Sequence, residues 1–155
     1  MSIAPTLQTY LADQNVAYET LEHRPTMSAM RTAEAAHIPG DRLAKGVVLR
    51  DGGSYMLAVI PASRHISMPD LKAELGHDVD FASEEEIGRV FRDCDRGAVP
   101  AIGTCYGITM IVDRELAEQP DIWSEAGDHA TLIHMTQADF ARLTAGAQHG
   151  RFTVH

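Results

Sequence analysis

The chain predicts one α+β domain spanning residues 1–155, built around a central β-hairpin. Three observations point there. Residues 43–50 and 55–61 are two apolar, partly β-branched runs joined by the Gly-rich turn Asp51-Gly52-Gly53-Ser54, the pattern of a hairpin. Neither run has a polar face, so both faces of the hairpin must be covered by other elements. Ser67, Ser83 and Thr136 each precede an acid three residues on, at Asp70, Glu86 and Asp139, which is how short helices begin.

The remaining elements follow in order. Ile3, Leu7, Tyr10 and Leu11 recur at helical spacing, predicting an amphipathic helix to about Gln14, stopped at Asn15. Residues 16–21 read as a strand that exposes Glu19, broken by His23-Arg24-Pro25. A short helix is expected over 32–37, ended by Ile38-Pro39-Gly40. After the hairpin, 62–66 reads as a loop. Leu71 and Leu75 form the buried side of the helix that Ser67 opens, and Gly76 stops it. Residues 79–81 read as a short strand. Ile87, Val90 and Phe91 are the apolar stripe of the next helix, whose three glutamates suit a helix N-terminus. Residues 94–103 form a loop in which Gly97 and Gly103 bracket a rigid Pro100. Strands are expected at 108–112, 121–123 and 130–135, with a turn at 113–115. Phe140 and Leu143 face inward from the last helix. The tail after Gly146 shows no pattern, and mobility is expected there.

Composition bounds the function. The chain is long enough to bury a real core, and no apolar run approaches a membrane span. The N-terminal Met1-Ser2-Ile3-Ala4-Pro5 lacks the basic and long apolar segments of a signal peptide. Two cysteines, Cys94 and Cys105, make no disulfide framework and no Cys-x-x-Cys pair, so a reducing, cytoplasmic setting is expected. A net charge of -9 disfavours an autonomous nucleic-acid binder. The charge is uneven, however. Residues 24–72 carry seven cations against four anions, whereas 73–95 carry eight anions against Arg89 and Arg92. The half that holds Lys45 is therefore mildly basic, either as ordinary surface scatter or as a landing site for a phosphate-bearing ligand.

Lys45 opens the first hairpin strand on the face of Val47 and Leu49. Two readings compete for it: an ammonium snorkelling from a strand end, or a placed charge. Only Lys45 and Lys72 are lysines among thirteen Lys and Arg residues, so a compact point charge stands where the chain otherwise uses Arg. Eight histidines raise a metal reading, but His129 and His134, five apart, face opposite sides of a strand. There is no His-Glu-x-x-His, no nucleophile elbow, no Walker loop and no dinucleotide fingerprint, so no metal and no cofactor is expected. Cys105 after Gly103-Thr104 is a candidate thiol nucleophile, with a buried small hydrophobe as the competing reading. The 97–103 loop can present N–H groups to a carbonyl or phosphate oxygen, although most Gly/Pro loops merely turn.

An ordered set of features over nearly the whole chain carries a resemblance. Ala44-Lys45 opens a strand and Leu57-Ala58-Val59-Ile60-Pro61-Ala62 closes the hairpin. Ala82-Ser83-Glu84-Glu85 opens a helix, and Gly97-Ala98-Val99-Pro100-Ala101-Ile102-Gly103 forms the loop. Tyr106-Gly107 precedes a strand ending in Val112-Asp113, and Ala126-Gly127-Asp128-His129 leads to Leu132-Ile133-His134-Met135 and Ala138-Asp139-Phe140. The chain resembles the YbaK/prolyl-tRNA-synthetase-associated family of aminoacyl-tRNA editing domains. The resemblance implies a mixed β-sheet or partly open barrel wrapped by short helices, and a freestanding deacylase that hydrolyses the ester of a mischarged tRNA in the service of translation fidelity. A tRNA-Pro type substrate belongs to that implication.

The family's lysine falls on Lys45, where it would position the tRNA 3′ end. The family's Gly-x-x-x-Pro loop falls on Gly97 to Ala101, with Ala101 in place of the final Pro and Pro100 before it. Gly97 and Gly103 are expected to hold the ester carbonyl through backbone N–H groups. His129, Pro100, Ala101, Ile102 and Arg64 are the expected substrate-binding residues. The expected partner is the aminoacylated acceptor end of tRNA, with a synthetase as a further partner and with neither DNA nor membrane. Two alternatives remain at this level: a non-catalytic aminoacyl-tRNA or synthetase-binding module of the same fold, and a small-ester hydrolase.

Overall fold

The structure is a computed structural model that describes residues 3–26 and 28–155. Met1 and Ser2, part of the N-terminal stretch read for a signal peptide, and Met27 lie outside the described residues. At its centre the β-strands β2 (Leu43–Asp51) and β3 (Ser54–Pro61) pair antiparallel from Ala44↔Pro61 to Asp51↔Ser54. Gly52 takes φ 61 in the two-residue turn, a left-handed conformation that suits a tight hairpin.

The sheet is mixed. To one side of the hairpin lie β7 (Asp121–Glu125), β8 (Thr131–Thr136) and β1 (Glu19–Glu22). To the other lie β6 (Thr109–Asp113) and β9 (Gln148–Gly150), giving the order β1-β8-β7-β2-β3-β6-β9. β2–β7, β3–β6 and β6–β9 are parallel, while β7–β8 and β8–β1 are antiparallel. A short strand β5 (Asp80–Phe81) pairs the far end of β2 at Leu49 and Arg50.

Both faces of the hairpin are covered, as its lack of a polar side requires. Val48, Leu57 and Val59 enter the main core with Leu7 and Leu11 of α1 (Pro5–Asp13) and Phe140 of α6 (Gln137–Leu143). Leu49, Met56, Ala58 and Ile60 enter a second core with Leu71 of α3 (Met68–Leu75) and Phe152. A third cluster joins Leu43 and Leu132 to Ala33 of α2 (Ala29–Ala36). The expected helix starts are real: Ser67, Ser83 and Thr136 each accept a hydrogen bond from the backbone N–H three residues on. Ser83 and Glu86 complete a reciprocal capping box at α4 (Glu84–Val90).

Four expectations need correction. The helix expected over 32–37 is α2, which starts three residues earlier because Ser28 caps it, and its C-cap His37 is left-handed at φ 58. Residues 113–115 do not merely turn, since Arg114–Ala117 is a one-turn helix, α5. Residues 62–66 are not all loop: His65–Ile66, β4, pairs antiparallel with Thr153–Val154, β10. The tail is therefore built into the fold. β9 extends the sheet, Phe152 is fully buried, and Asp113 accepts hydrogen bonds from Phe152 N–H at 3.1 Å and the Thr153 hydroxyl at 2.8 Å. No helix among the described residues is long and apolar enough to cross a membrane.

Candidate active site

The sheet opens at Lys45. One edge of β2 is paired by β3 along its length. On the other edge β7 runs beside Leu43 and Ala44, and β5 runs beside Leu49 and Arg50. Residues 45–48 lie between the two, with no strand alongside them among the described residues. A cavity of about 500 Å³ opens at this gap, and all of residues 43–48 line it. That volume falls within the ordinary range for small-molecule sites. The Lys45 side chain has no ion-pair or hydrogen-bond partner among the described residues, so its charge is available to a ligand.

The Gly/Pro loop forms another wall. Its contact with β2 is close because residue 46 is glycine. A Cβ there would lie 2.9 Å from the Pro100 carbonyl oxygen and 3.1 Å from Val99 Cγ1. Gly97 and Val99 line the cavity, and neither N–H donates to a partner among the described residues. The rest of the loop is held by the protein. Ala98 N–H donates to the Asp95 carbonyl, Ala101 N–H to Ser124 Oγ at 3.0 Å, and Gly103 N–H to Met110 Sδ at 3.3 Å. Ala101 and Ile102 are buried in the main core. A Cβ on Gly103 would lie 2.9 Å from Ile108 Cγ1, so this glycine admits close packing rather than a ligand. Of the loop residues singled out by sequence, Gly97 lines the cavity; Pro100, Ala101, Ile102 and Gly103 do not.

His129 also lines the cavity, and its ring lies against Gly97. Its Nε2 hydrogen-bonds the Arg96 carbonyl. A carbonyl only accepts, so Nε2 carries the proton and donates. His129 thereby ties the loop of residues 126–129 to the Gly97 turn, a join reinforced by Asp95 N–H donating to the Gly127 carbonyl at 2.7 Å. Arg64 is elsewhere: its guanidinium donates to Thr153 Oγ1 at 2.7 Å and to the Thr153 carbonyl at 2.9 Å, and it does not line the cavity. The thiols are poor nucleophiles here. Burial pushes Cys94 up to about 12 and Cys105 up to about 11, and neither lines the cavity.

Phe81 and Glu125 are among the cavity residues that the sequence did not single out. Phe81, on β5, is 55% exposed at the rim. Glu125, the last residue of β7, is only 7% exposed, and its Oε2 is buried without a hydrogen-bond partner. Desolvation pushes its carboxyl up to about 8; the Thr32 hydroxyl opposes that shift and the Asp128 charge adds to it. The only sequence signal was an acid closing a strand that leads into a glycine turn. Among the described residues no group of three His, Cys, Asp or Glu side chains is placed to hold a metal ion.

Around one cleft, then, stand Lys45, Gly97 and Val99, whose ammonium and N–H groups have no partner among the described residues, and the buried acid Glu125. A family model for the aminoacyl-tRNA editing domain matches residues 23–143, which span the cavity walls from α2 to His129. The chain belongs to the aminoacyl-tRNA editing domain family. Solved structures share the fold of this editing domain across its length. A candidate trans-editing enzyme for prolyl-tRNA synthetase matches with a TM-score of 0.84 and 20% identity, covering 99% of this chain and 100% of that one. The hypothetical protein APE2540 matches with a TM-score of 0.84 and 18% identity, covering 96% of this chain and 99% of that one. A candidate signal transduction protein from Marinobacter aquaeolei VT8 matches at 0.79 and 22% identity, with 99% of the editing domain covered but 31% of the longer chain. A search of curated proteins finds no match.

Proposed function

We propose that this editing domain is an aminoacyl-tRNA deacylase acting in trans, hydrolysing the ester between a wrongly attached amino acid and the 3′ end of a tRNA, with a tRNA-Pro type acceptor among its substrates. One observation carries the reading: Lys45, Gly97 and Val99 line the same cavity, and neither the Lys45 ammonium nor the two backbone N–H groups have a partner among the described residues. Lys45 holds the terminal phosphate and so fixes the acylated ribose in the gap of the sheet. The Gly97 and Val99 N–H groups receive the ester carbonyl and the oxyanion that follows water attack. An ester of this kind is already activated, so position and carbonyl polarisation supply much of the catalysis. His129 donates its Nε2 proton to the protein, so it lines the pocket rather than serving as base through that atom. The substrate's neighbouring ribose hydroxyl orients the water.

The acidic molecule, at net charge -9, takes only the acceptor end of the tRNA, with a synthetase supplying the remaining recognition. Phe81 at the rim offers an aromatic face to a terminal base. A deacylation screen over a panel of mischarged tRNAs, run beside Lys45→Ala, tests the proposal. Hydrolysis of at least one mischarged tRNA that the variant fails to hydrolyse is expected. Binding without hydrolysis across the whole panel would mark a non-catalytic module instead.

A further inference from the structure

Glu125 has no part in the chemistry above, yet its placement is costly. It is 7% exposed, its Oε2 has no partner, and it lines the cavity. A buried carboxyl oxygen without a donor is rare in a folded protein and points to a group that arrives later. The sheet register places it relative to Lys45. β2 and β7 run parallel with Leu43 opposite Trp123 and Ala44 opposite Ser124. The next residues along are Lys45 and Glu125, which therefore stand on the same face of neighbouring strands. They form no ion pair with each other. Both line the cavity and, among the described residues, neither neutralises the other, so each charge-bearing group is left for a group of the ligand.

A 3′-aminoacylated nucleotide has two such groups. It carries an anionic phosphate on one side of the ribose and an α-ammonium on the other. Resting on the deacylase reading, we propose that Glu125 binds the α-ammonium group of the esterified amino acid, so that the cavity selects amino acids with a free amino group. Lys45 and Glu125 then hold the two ends of the substrate, and the ester carbonyl between them lies toward the Gly97–Val99 amides. Burial raises the acid's value to about 8, so its proton is held near neutrality. An arriving ammonium stabilises the carboxylate, and the proton leaves to solvent. Ser124, next to Glu125, receives the Ala101 N–H, so the strand end that carries the acid is fastened to the loop that carries the amides. An amino-acid side chain ending in a hydroxyl is the competing donor, and the experiment separates the two.

The probes are 3′-alanylamido-3′-deoxyadenosine 5′-phosphate, which cannot be hydrolysed at the ester position, and its N-acetyl form. Wild type is expected to bind the free-amine form at least about tenfold more tightly, as fits a hydrogen-bonded charge. In Glu125→Gln that preference is expected to collapse to about twofold, with affinity for the N-acetyl form unchanged. The unchanged affinity doubles as the control for folding. The proposal is overturned if wild type does not distinguish the two forms, if the variant keeps the preference, or if it weakens both equally. It is also overturned if Glu125→Gln keeps the free-amine preference and instead changes the ranking of alanyl against seryl analogues. Absence of tRNA hydrolysis by the wild type would sink the deacylase reading, while the binding comparison still decides Glu125.

Discussion

Gly46 and Pro100 touch so closely that residue 46 has no room for a side chain. A Cβ at Gly46 would meet the Pro100 carbonyl oxygen at 2.9 Å and Leu57 Cδ1 at 3.1 Å. The contact presses the loop wall of the cavity onto the strand that carries Lys45. Backbone meets backbone there, so the neighbour cannot move aside by changing a rotamer.

Gly46→Ala is therefore expected to shift the loop rather than be absorbed. A destabilisation of about 1–3 kcal/mol is the usual size for overpacking. A loss of tenfold or more in deacylation should accompany it, because small displacements of positioning groups are costly. Chemical denaturation and kcat/KM on one mischarged tRNA measure the two effects. Unchanged values for both would show that the loop position is not set by this contact.

Lys45→Ala should leave the fold intact, since the side chain holds no partner within the described protein. Deacylation should fall by about a hundredfold or more if the ammonium fixes the reacting end. A phosphate contact has a further signature: the salt dependence of binding an acceptor-end oligonucleotide should lose about one unit of log–log slope. A variant with near-full activity and an unchanged slope would remove Lys45 from the site.

The sequence-level reading succeeded where the determinants are local. The hairpin is encoded by a Gly-Gly turn between apolar runs, and three helices by hydroxyl caps three residues before an acid. Lys45, a lysine opening an apolar strand, and Gly97, the first glycine of a Gly/Pro loop, were singled out locally and both line the cavity; their roles are proposals. The tail was illegible because its partners are distant in sequence. Gln148-His149-Gly150 has no strand-like alternation and is held by β6 in a parallel pairing nearly forty residues away. Glu125 was illegible for a similar reason. Its carboxyl lies by Thr32 of α2, far away in sequence, a neighbour that no local pattern encodes. Arg64 pointed to a ligand by charge alone, whereas its guanidinium is used to fasten Thr153.

Asp113 tests how firmly that tail belongs to the fold. Its fully buried carboxylate accepts the Phe152 N–H and the Thr153 hydroxyl, which in turn accepts from Arg64. Asp113→Ala leaves two buried donors without an acceptor, at a cost of about 1–3 kcal/mol. Amide hydrogen exchange in residues 148–154 should accelerate more than in β2 and β3. Uniform acceleration through the sheet would mean that the tail does not open separately.

His129→Ala removes a ring that lies on Gly97 and donates to Arg96. No reacting atom is assigned to it, so the ranking of amino acids removed should change more than the maximal rate. Deacylation profiles over the tRNA panel, each as kcat and KM, separate the two. A collapse of kcat for every amino acid with an unaltered ranking would assign His129 to the chemistry.

Glu125 predicts the pH dependence of stability. Its carboxyl has an ordinary value of 4.5 in the unfolded chain and is pushed up to about 8 by burial in the folded one. Between those values the folded state holds a proton that the unfolded state has released. Stability therefore falls as pH rises through that window and levels off above it. Below 4.5 both states are protonated and the group costs nothing as an ion. Glu125→Gln removes the titration, so the variant should match wild type near pH 4 and gain on it steadily toward pH 8, by on the order of a few kcal/mol. Denaturation midpoints of both proteins across that range decide the matter, and curves that stay parallel would place the folded-state value of Glu125 near that of an exposed glutamate.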